Sequence, residues 1–367
     1  MKKLNVLIAQ ESIAYRKILQ EAVEGTGLAQ VVFTASTGQI ALERLKQRYI
    51  DVVLLSMNIP EKKNLETLFT INKEYPDVYV IIVIDTDKVN TAATVQALQM
   101  GALDFILIQA ETGLVNNVAR SKGKLQGLFT QIMTKKFTAG AAFLPEPETK
   151  PGSGGAALQR KPKVKKRDMT EAALIVVAAS TGGPAALKYI FQNISEKIAV
   201  PILIVQHMPR EFTGKLAQSL HKKSPIPIAE AADNSLIKPG EALLAPGGVH
   251  LTVTEKKSHY LAKLQDSLPV NGVKPSADVL FHSVARVFAG KKILAIMLTG
   301  MGNDGLEGIR ELKRQCDCYC LVQSERTCVV YGMPGSVVQA GLADEIRDLH
   351  LIPERINSMV PGRSSKQ

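Results

Sequence analysis

The chain has 367 residues, 46% of them hydrophobic and 22% charged, with a formal net charge of +11. That length is generous for one domain and suits two, each able to bury a core. No apolar run approaches the roughly 18–20 residues that span a bilayer, so no membrane insertion is expected. Four cysteines, three of them at alternate positions in 316-CDCYC-320, are too few and too close to staple loops and are expected as free thiols.

Along the chain, the opening MKKLNVLIAQES has two lysines but only a short apolar stretch. It is expected to be a strand rather than a signal peptide, and the cytoplasm is the expected compartment. Short aliphatic runs follow at 4-LNVLIA-9, 30-QVVFTA-35, 51-DVVLLS-56, 78-VYVIIVI-84 and 105-FILI-108, separated by stretches of helical spacing such as 12-SIAYRKILQEAV-23. Strands alternating with helices predict a parallel sheet. Five such units fit a flavodoxin-like (βα)5 domain, whose chemistry lies at the carboxyl ends of its strands.

The spacing of 6-VLIAQES-12, 52-VVLLSMNIP-60 and 101-GALDF-105 resembles the response-regulator receiver family over roughly the first 120 residues. The resemblance implies two acidic residues after the first strand, a phospho-accepting aspartate after the third, a hydroxyl after the fourth and a lysine after the fifth. Carboxylates there hold a magnesium ion, and metal and lysine together neutralise the incoming phosphoryl group. This sequence departs at nearly every position: Gln10 and Glu11 replace the acidic pair, Ser56 the acceptor, Ile84 the hydroxyl and Ile108 the lysine. Asp51 is no substitute, since five residues of strand put it about 16 Å away at the wrong end. Asp85 and Asp87 follow the fourth strand, but without acceptor and lysine they do not rebuild phosphotransfer. The domain is expected not to be phosphorylated.

Next comes 159-QRKPKVKKR-167, six basic residues in nine, beside 145-PEPETKPGSGG-155. Proline, glycine and like charge favour an extended linker from about residue 139 to 170. A basic tract can attract nucleic acid, but no stacking aromatics or recognition motif accompany it, so no specific nucleic-acid binding is expected.

Beyond the linker, 172-AALIVVAASTGGPAALKYIF-191 is an apolar strand, a Ser-Thr-Gly-Gly turn and an amphipathic helix. Ser180 stands at the strand end close to a helix N-terminus, where backbone N–H groups favour developing negative charge. The turn lacks the spacing of the known nucleotide-binding loops, so no cofactor is expected. The run 200-VPILIVQHMPREFTGKLAQSL-220 puts His207 at the tip of another strand, and 293-ILAIMLTGMGNDGLEGIRELK-313 puts Asp304 in a glycine-rich turn between strand and helix. A histidine at a strand end is often only a satisfied polar group, and a turn aspartate often only a hydrogen-bond acceptor. Serine, histidine and aspartate on three strand ends nonetheless form the nucleophile, base and orienter set of acyl transfer.

The motifs 178-AASTGGP-184, 206-QHMP-209 with 212-FTGKLA-217, 244-LAPGGVHL-251, 274-KPSADVLFHSVA-285, 299-TGMGNDG-305 and 330-VYGMPG-335 resemble the catalytic domain of chemotaxis protein-glutamate methylesterases, the CheB family. The resemblance implies a doubly wound, mostly parallel, Rossmann-like esterase domain. It implies Ser180 as nucleophile, His207 as base and later acid, Asp304 as orienter, and the Met301 backbone N–H in an oxyanion hole. The substrate would be a glutamyl methyl ester on the cytoplasmic domain of a chemoreceptor, with glutamine deamidation as a second reaction and no metal. Thr181 either contacts substrate or caps the helix; His250 and His282 are expected to be structural or pocket-lining. A zinc site at the cysteines is disfavoured by their spacing.

The expected organisation is a receiver-like domain at 1–125, a helix end and basic linker at 126–170, a catalytic domain at 171–355 and a flexible tail at 356–367. In phosphorylatable members of this family the unmodified receiver covers the esterase cleft. With the phosphoacceptor gone, the open outcomes are constant activity, constant inhibition, or control by a protein that binds the receiver; the first and last are favoured. The alternative function is a non-catalytic adaptor, which would predict a damaged catalytic set.

Overall fold

A computed structural model of the protein describes residues 3–57, 61–109, 113–138, 169 and 172–360. The basic tract at 159–167 and the final PGRSSKQ lie outside the described residues. The described residues fall into two compact units, one built on a five-stranded sheet and one on a seven-stranded sheet. No described helix is long and apolar enough to cross a membrane.

In chain order the first part runs β1 (Leu4–Ala9), α1 (Ile13–Gly25), β2 (Ala29–Ala35), α2 (Gly38–Leu45), β3 (Val52–Ser56), α3 (Glu61–Glu74), β4 (Tyr79–Asp85), α4 (Thr91–Gln99), β5 (Asp104–Ile108) and α5 (Gly113–Thr138). The strands lie in the order β2-β1-β3-β4-β5, which is the flavodoxin-like arrangement expected. Every residue of β3 is buried, as a parallel strand covered on both faces requires. Ser12 starts α1 by accepting the Tyr15 N–H, a cap that stops the helix from invading the β1 end. Asp51 precedes β3 at the end of the sheet away from the strand carboxyl termini. Its carboxylate accepts the Asn5 N–H at 2.7 Å and the Lys136 ammonium at 2.6 Å, so it anchors the last turn of α5. The Lys136 pKa stands above the usual lysine value: burial works against the charge, and the hydrogen bonds to Asp51 and Tyr49 outweigh it. Helix α5 is continuous through residue 125, where the receiver-like domain was expected to end, and stops at Thr138.

The second part runs β6 (Leu174–Ala179), α6 (Gly183–Asn193), β7 (Ile202–Gln206), α7 (Arg210–His221), β8 (Ile228–Glu230), β9 (Ala242–Leu244), β10 (His250–Lys256), β11 (His259–Gln265), α8 (Ala277–Val287), β12 (Lys292–Met297), α9 (Leu306–Gln315), β13 (Asp317–Gln323), α10 (Gly332–Gln339), β14 (Glu345–Arg347) and α11 (Ile352–Met359). Seven strands form one sheet, β14-β13-β12-β6-β7-β9-β8, and β10 with β11 forms a separate antiparallel hairpin. The chain starts in the middle at β6, builds outward through β7, then returns to β12 on the other side, which makes β6/β12 the switch point where an open α/β sheet opens a crevice. Helix α11 corrects the expected tail boundary: residues 356–359 are helical, and Ile356 and Met359 are buried.

Cys316 precedes β13, while Cys318 and Cys320 lie within it, all packed in the core with Val322. Burial, aided by Glu311, pushes the Cys316 thiol up to about 11, and burial pushes Cys320 to about 12 and Cys318 well above its usual value. Buried in the core and held protonated, these free thiols act as packing groups.

Candidate active site

Ser180, His207 and Asp304 follow the carboxyl ends of β6, β7 and β12, three neighbouring strands at the switch point. The sheet ladder continues past the strands to hold them. Ser180 N–H donates to the Thr299 carbonyl at 3.0 Å and His207 N–H to the Ala179 carbonyl at 3.1 Å. The turn after Ser180 needs its glycines. Gly182 adopts φ +79 at the start of α6, and a Cβ there would meet Val329 at 2.6 Å. A Cβ on Gly300 would lie 2.8 Å from the Ser180 Cβ and 2.4 Å from the Met333 sulfur.

His207 Nε2 lies 2.7 Å from Asp304 Oδ2. Asp304 is 2% exposed, and its carboxylate is surrounded by donors. Oδ2 also accepts the Ala277 N–H at 2.6 Å; Oδ1 accepts Ser276 Oγ at 2.6 Å, Asn271 Nδ2 at 3.1 Å and the Asp278 N–H at 3.3 Å. Two of these are backbone groups in the first turn of α8, whose N-cap is Ser276, so the helix dipole adds to the charge stabilisation. Burial alone would raise the Asp304 pKa, but His207, Ser276 and Ala277 outweigh it and bring the value to about 2. An ionised carboxylate only accepts hydrogen bonds, so His207 must donate from Nε2. The neutral imidazole is thereby fixed with Nδ1 unprotonated, and Nδ1 is the nitrogen free to take a proton. Among the described residues no hydrogen bond joins the Ser180 hydroxyl to the ring, as is common before substrate binds.

A second buried carboxylate stands behind the first. Asp278 accepts the Gly308 N–H and Asn271 Nδ2, each at 2.7 Å. Burial, with the neighbouring Asp304 charge, raises its pKa.

Met301, expected in the oxyanion hole, lies in the β12–α9 turn beside Gly300, 41% exposed, and its N–H donates to no group among the described residues. Thr181 is buried and its carbonyl accepts Thr299 Oγ1 at 2.9 Å. Helix α6 has Gly182 at its N-cap and no side-chain cap, so Thr181 does not serve as one. His250 is a satisfied core histidine, with Nδ1 accepting the Ser276 N–H and Nε2 meeting the Leu268 carbonyl, both at 3.1 Å. His282 is exposed on α8.

The spacing did not identify Ser276 and Asn271 as partners of Asp304. Ser276 carried one usable signal, a serine just ahead of the apolar helix 277–287. Asn271 carried none: it lies 33 residues from Asp304, in a turn where it adopts φ +54.

At the carboxyl edge of the five-stranded sheet, Gln10 follows β1 and is fully buried, its Oε1 accepting the Ser12 N–H at 3.1 Å. Ser56 ends β3, Ile84 lies in β4 and Ile108 ends β5, all three buried. Glu11 is exposed. The Asp85 carboxylate caps the turn that follows it, accepting the Asp87 N–H at 3.1 Å.

A parallel α/β sheet that brings a serine, a histidine and a donor-saturated aspartate to adjacent strand ends is an arrangement suited to ester hydrolysis, here on a chain that also carries a receiver fold. Family models place it further: "CheB methylesterase" matches residues 175–356 and "Response regulator receiver domain" matches residues 6–115. A protein-glutamate methylesterase/protein-glutamine glutaminase of Desulfotalea psychrophila is 36% identical over 97% of this chain and 98% of its own length. One of the same description from Halalkalibacterium halodurans is 35% identical over 96% and 97%. The crystal structure of the Thermotoga maritima CheB methylesterase catalytic domain is 35% identical, covering 52% of this chain and 99% of that one with a TM-score of 0.50. The chain belongs to the CheB family of protein-glutamate methylesterases, with an N-terminal receiver domain.

Proposed function

We propose that the protein hydrolyses glutamyl methyl esters on the cytoplasmic domains of chemoreceptors through Ser180, His207 and Asp304. The observation that carries the reading is the His207–Asp304 contact at 2.7 Å, with its carboxylate saturated by donors, beside a serine on the neighbouring strand end. In this reading Ser180 Oγ attacks the ester carbonyl carbon while its proton passes to His207 Nδ1. The tetrahedral oxyanion is held by the Met301 N–H, with Thr181 lining the substrate side. Collapse breaks the C–OMe bond and the imidazolium returns its proton, so methanol leaves. Water then attacks the acyl-serine with His207 again as base, releasing the glutamate carboxylate and the free serine. A glutamine side chain entering the same path would release ammonia, which makes deamidation a second reaction of the site.

The receiver domain, in the same proposal, is not phosphorylated. Glutamine, serine and two isoleucines supply neither the acceptor carboxylate nor the lysine that phosphotransfer requires. Activity is then either constant or set by a regulatory protein docking on the receiver, in the cytoplasm and without nucleic acid. The test of the catalytic assignment is labelling by a fluorophosphonate probe followed by peptide mapping. A single adduct on Ser180, absent in Ser180→Ala, is expected; a labelled protein whose adduct maps elsewhere refutes the assignment.

A further inference from the structure

Two motif residues have no place in that chemistry: Gln206, next to the histidine, and Gly183, in the turn after the serine. The structure brings them together. Gln206 ends β7 and is 1% exposed. Its Nε2 donates to the Ser180 carbonyl at 2.9 Å and to the His207 carbonyl at 3.1 Å. An amide nitrogen has two protons, and here both are committed, one to the backbone of each reacting residue. The orientation is fixed chemically, because a flipped amide would turn its oxygen onto two carbonyls. The remaining atom, Oε1, is buried with no partner among the described residues, a condition that ordinarily costs about 1–3 kcal/mol. It sits over the start of α6, where a Cβ on Gly183 would come within 1.9 Å of it and, less severely, 2.9 Å from the Ala179 Cβ. The amide therefore fills the gap between the two turns, and Gly183 is the residue that leaves room for it.

We infer that Gln206 is a positioning residue that braces the Ser180 and His207 turns against each other, and that Gly183 is glycine to admit it. The inference rests on the proposed Ser180–His207 chemistry. Strand pairing alone fixes the two strand ends, since Ala179 and Gln206 are register partners. Both side chains nevertheless start beyond the last ladder pair, where the Gln206 amide is a side-chain tie common to the two turns. Loss of such a tie lets the hydroxyl and the imidazole drift, and misplacement on the order of 1 Å costs on the order of 10²-fold in rate. Folding need not suffer to the same degree, because removing the amide also removes the orphaned Oε1.

The experiment uses the full chain with Gln206→Met, which keeps volume and loses both hydrogen bonds, Gln206→Ala, Gly183→Ala, and the Gly183→Ala/Gln206→Ala pair. Each is followed by the rate of fluorophosphonate labelling at Ser180 and by thermal unfolding. Gln206→Met should label about 10–100-fold more slowly than wild type at a temperature where both are fully folded. Gly183→Ala should lose folding stability, and the double variant should regain the part owed to the Gln206 amide but not the part owed to Ala179, without regaining the labelling rate. Gln206→Met labelling at the wild-type rate overturns the brace, as does a double variant that reacts like wild type. If wild type itself does not label at Ser180, the catalytic assignment has failed rather than this inference.

Discussion

Replacing Asp304 by asparagine is the sharpest perturbation of the site, because the carboxylate faces donors on every side. Oδ2 meets His207 Nε2 and the Ala277 N–H; Oδ1 meets Ser276 Oγ, Asn271 Nδ2 and the Asp278 N–H. An asparagine has one oxygen and one NH2, so one side must become donor against donor. With the NH2 toward His207, it opposes the Ala277 N–H and forces Nε2 to accept. The ring proton then moves to Nδ1, which is the wrong tautomer for the base proposed to serve Ser180. With the NH2 on the other side it opposes Asn271 and Asp278, and the imidazole loses its charged partner. Either way kcat should fall by roughly 10³–10⁴-fold with KM little changed, the scale of a wrong-tautomer lesion in a Ser-His-Asp system. The assay is methanol release from methyl-labelled receptor membranes. Stability supplies a second reading. The pKa of about 2 in the folded state, against 3.8 as the ordinary value, corresponds to about 2 kcal/mol. Because the folded value is depressed, that contribution is fully present above the unfolded pKa and is lost as pH falls through about 2. Denaturant titrations of wild type should therefore lose stability below about pH 4 more steeply than those of Asp304→Asn. A variant within tenfold of wild type in kcat would refute the assignment of Nδ1 as base.

Three further outcomes follow from the geometry. Ser276→Ala removes a 2.6 Å donor to Asp304 Oδ1 and the cap of α8, and should cost about 1–2 kcal/mol in denaturant unfolding and roughly tenfold in kcat. Gly300→Ala drives a Cβ to 2.8 Å from the Ser180 Cβ and should slow Ser180 labelling by about 10²-fold; an unaffected rate would show the turn to be pliant. Incubation with labelled acetyl phosphate and magnesium should leave the receiver unmodified, and label on the receiver, whether hydroxylamine-labile as an acyl phosphate or acid-stable on Ser56, would contradict that reading.

Much of the architecture was legible because parallel strands buried on both faces are short apolar runs, and each of the five runs in the first part became a strand of its sheet. The placement of Ser180, His207 and Asp304 at strand ends was legible for the same reason: each immediately follows such a run or lies in the turn after it. What escaped was long-range. The cradle around Asp304 comes from Asn271, Ser276 and the first N–H groups of α8, and no local pattern ties a turn at 271 to a carboxylate at 304. The Asp51–Lys136 pair joins residues 85 apart, and its aspartate is identifiable from sequence only as one misplaced for phosphorylation. The role of Gln206 is visible only where two carbonyls converge on its amide. The tail boundary was misplaced because 352-IPERINSM-359 is short and polar on one face, and it is the burial of Ile352, Ile356 and Met359 that makes it a helix of the domain.

The most direct measurement is methanol release from methyl-labelled chemoreceptor membranes by the full-length protein with no phosphodonor present, set beside Ser180→Ala, with and without an extract of the same cells lacking this protein as a source of regulatory partners. The account predicts release by wild type, alone or once the extract is added, none by the variant in either condition, and no change when a phosphodonor is supplied. Release by Ser180→Ala equal to wild type, or none by wild type in any condition, would contradict it.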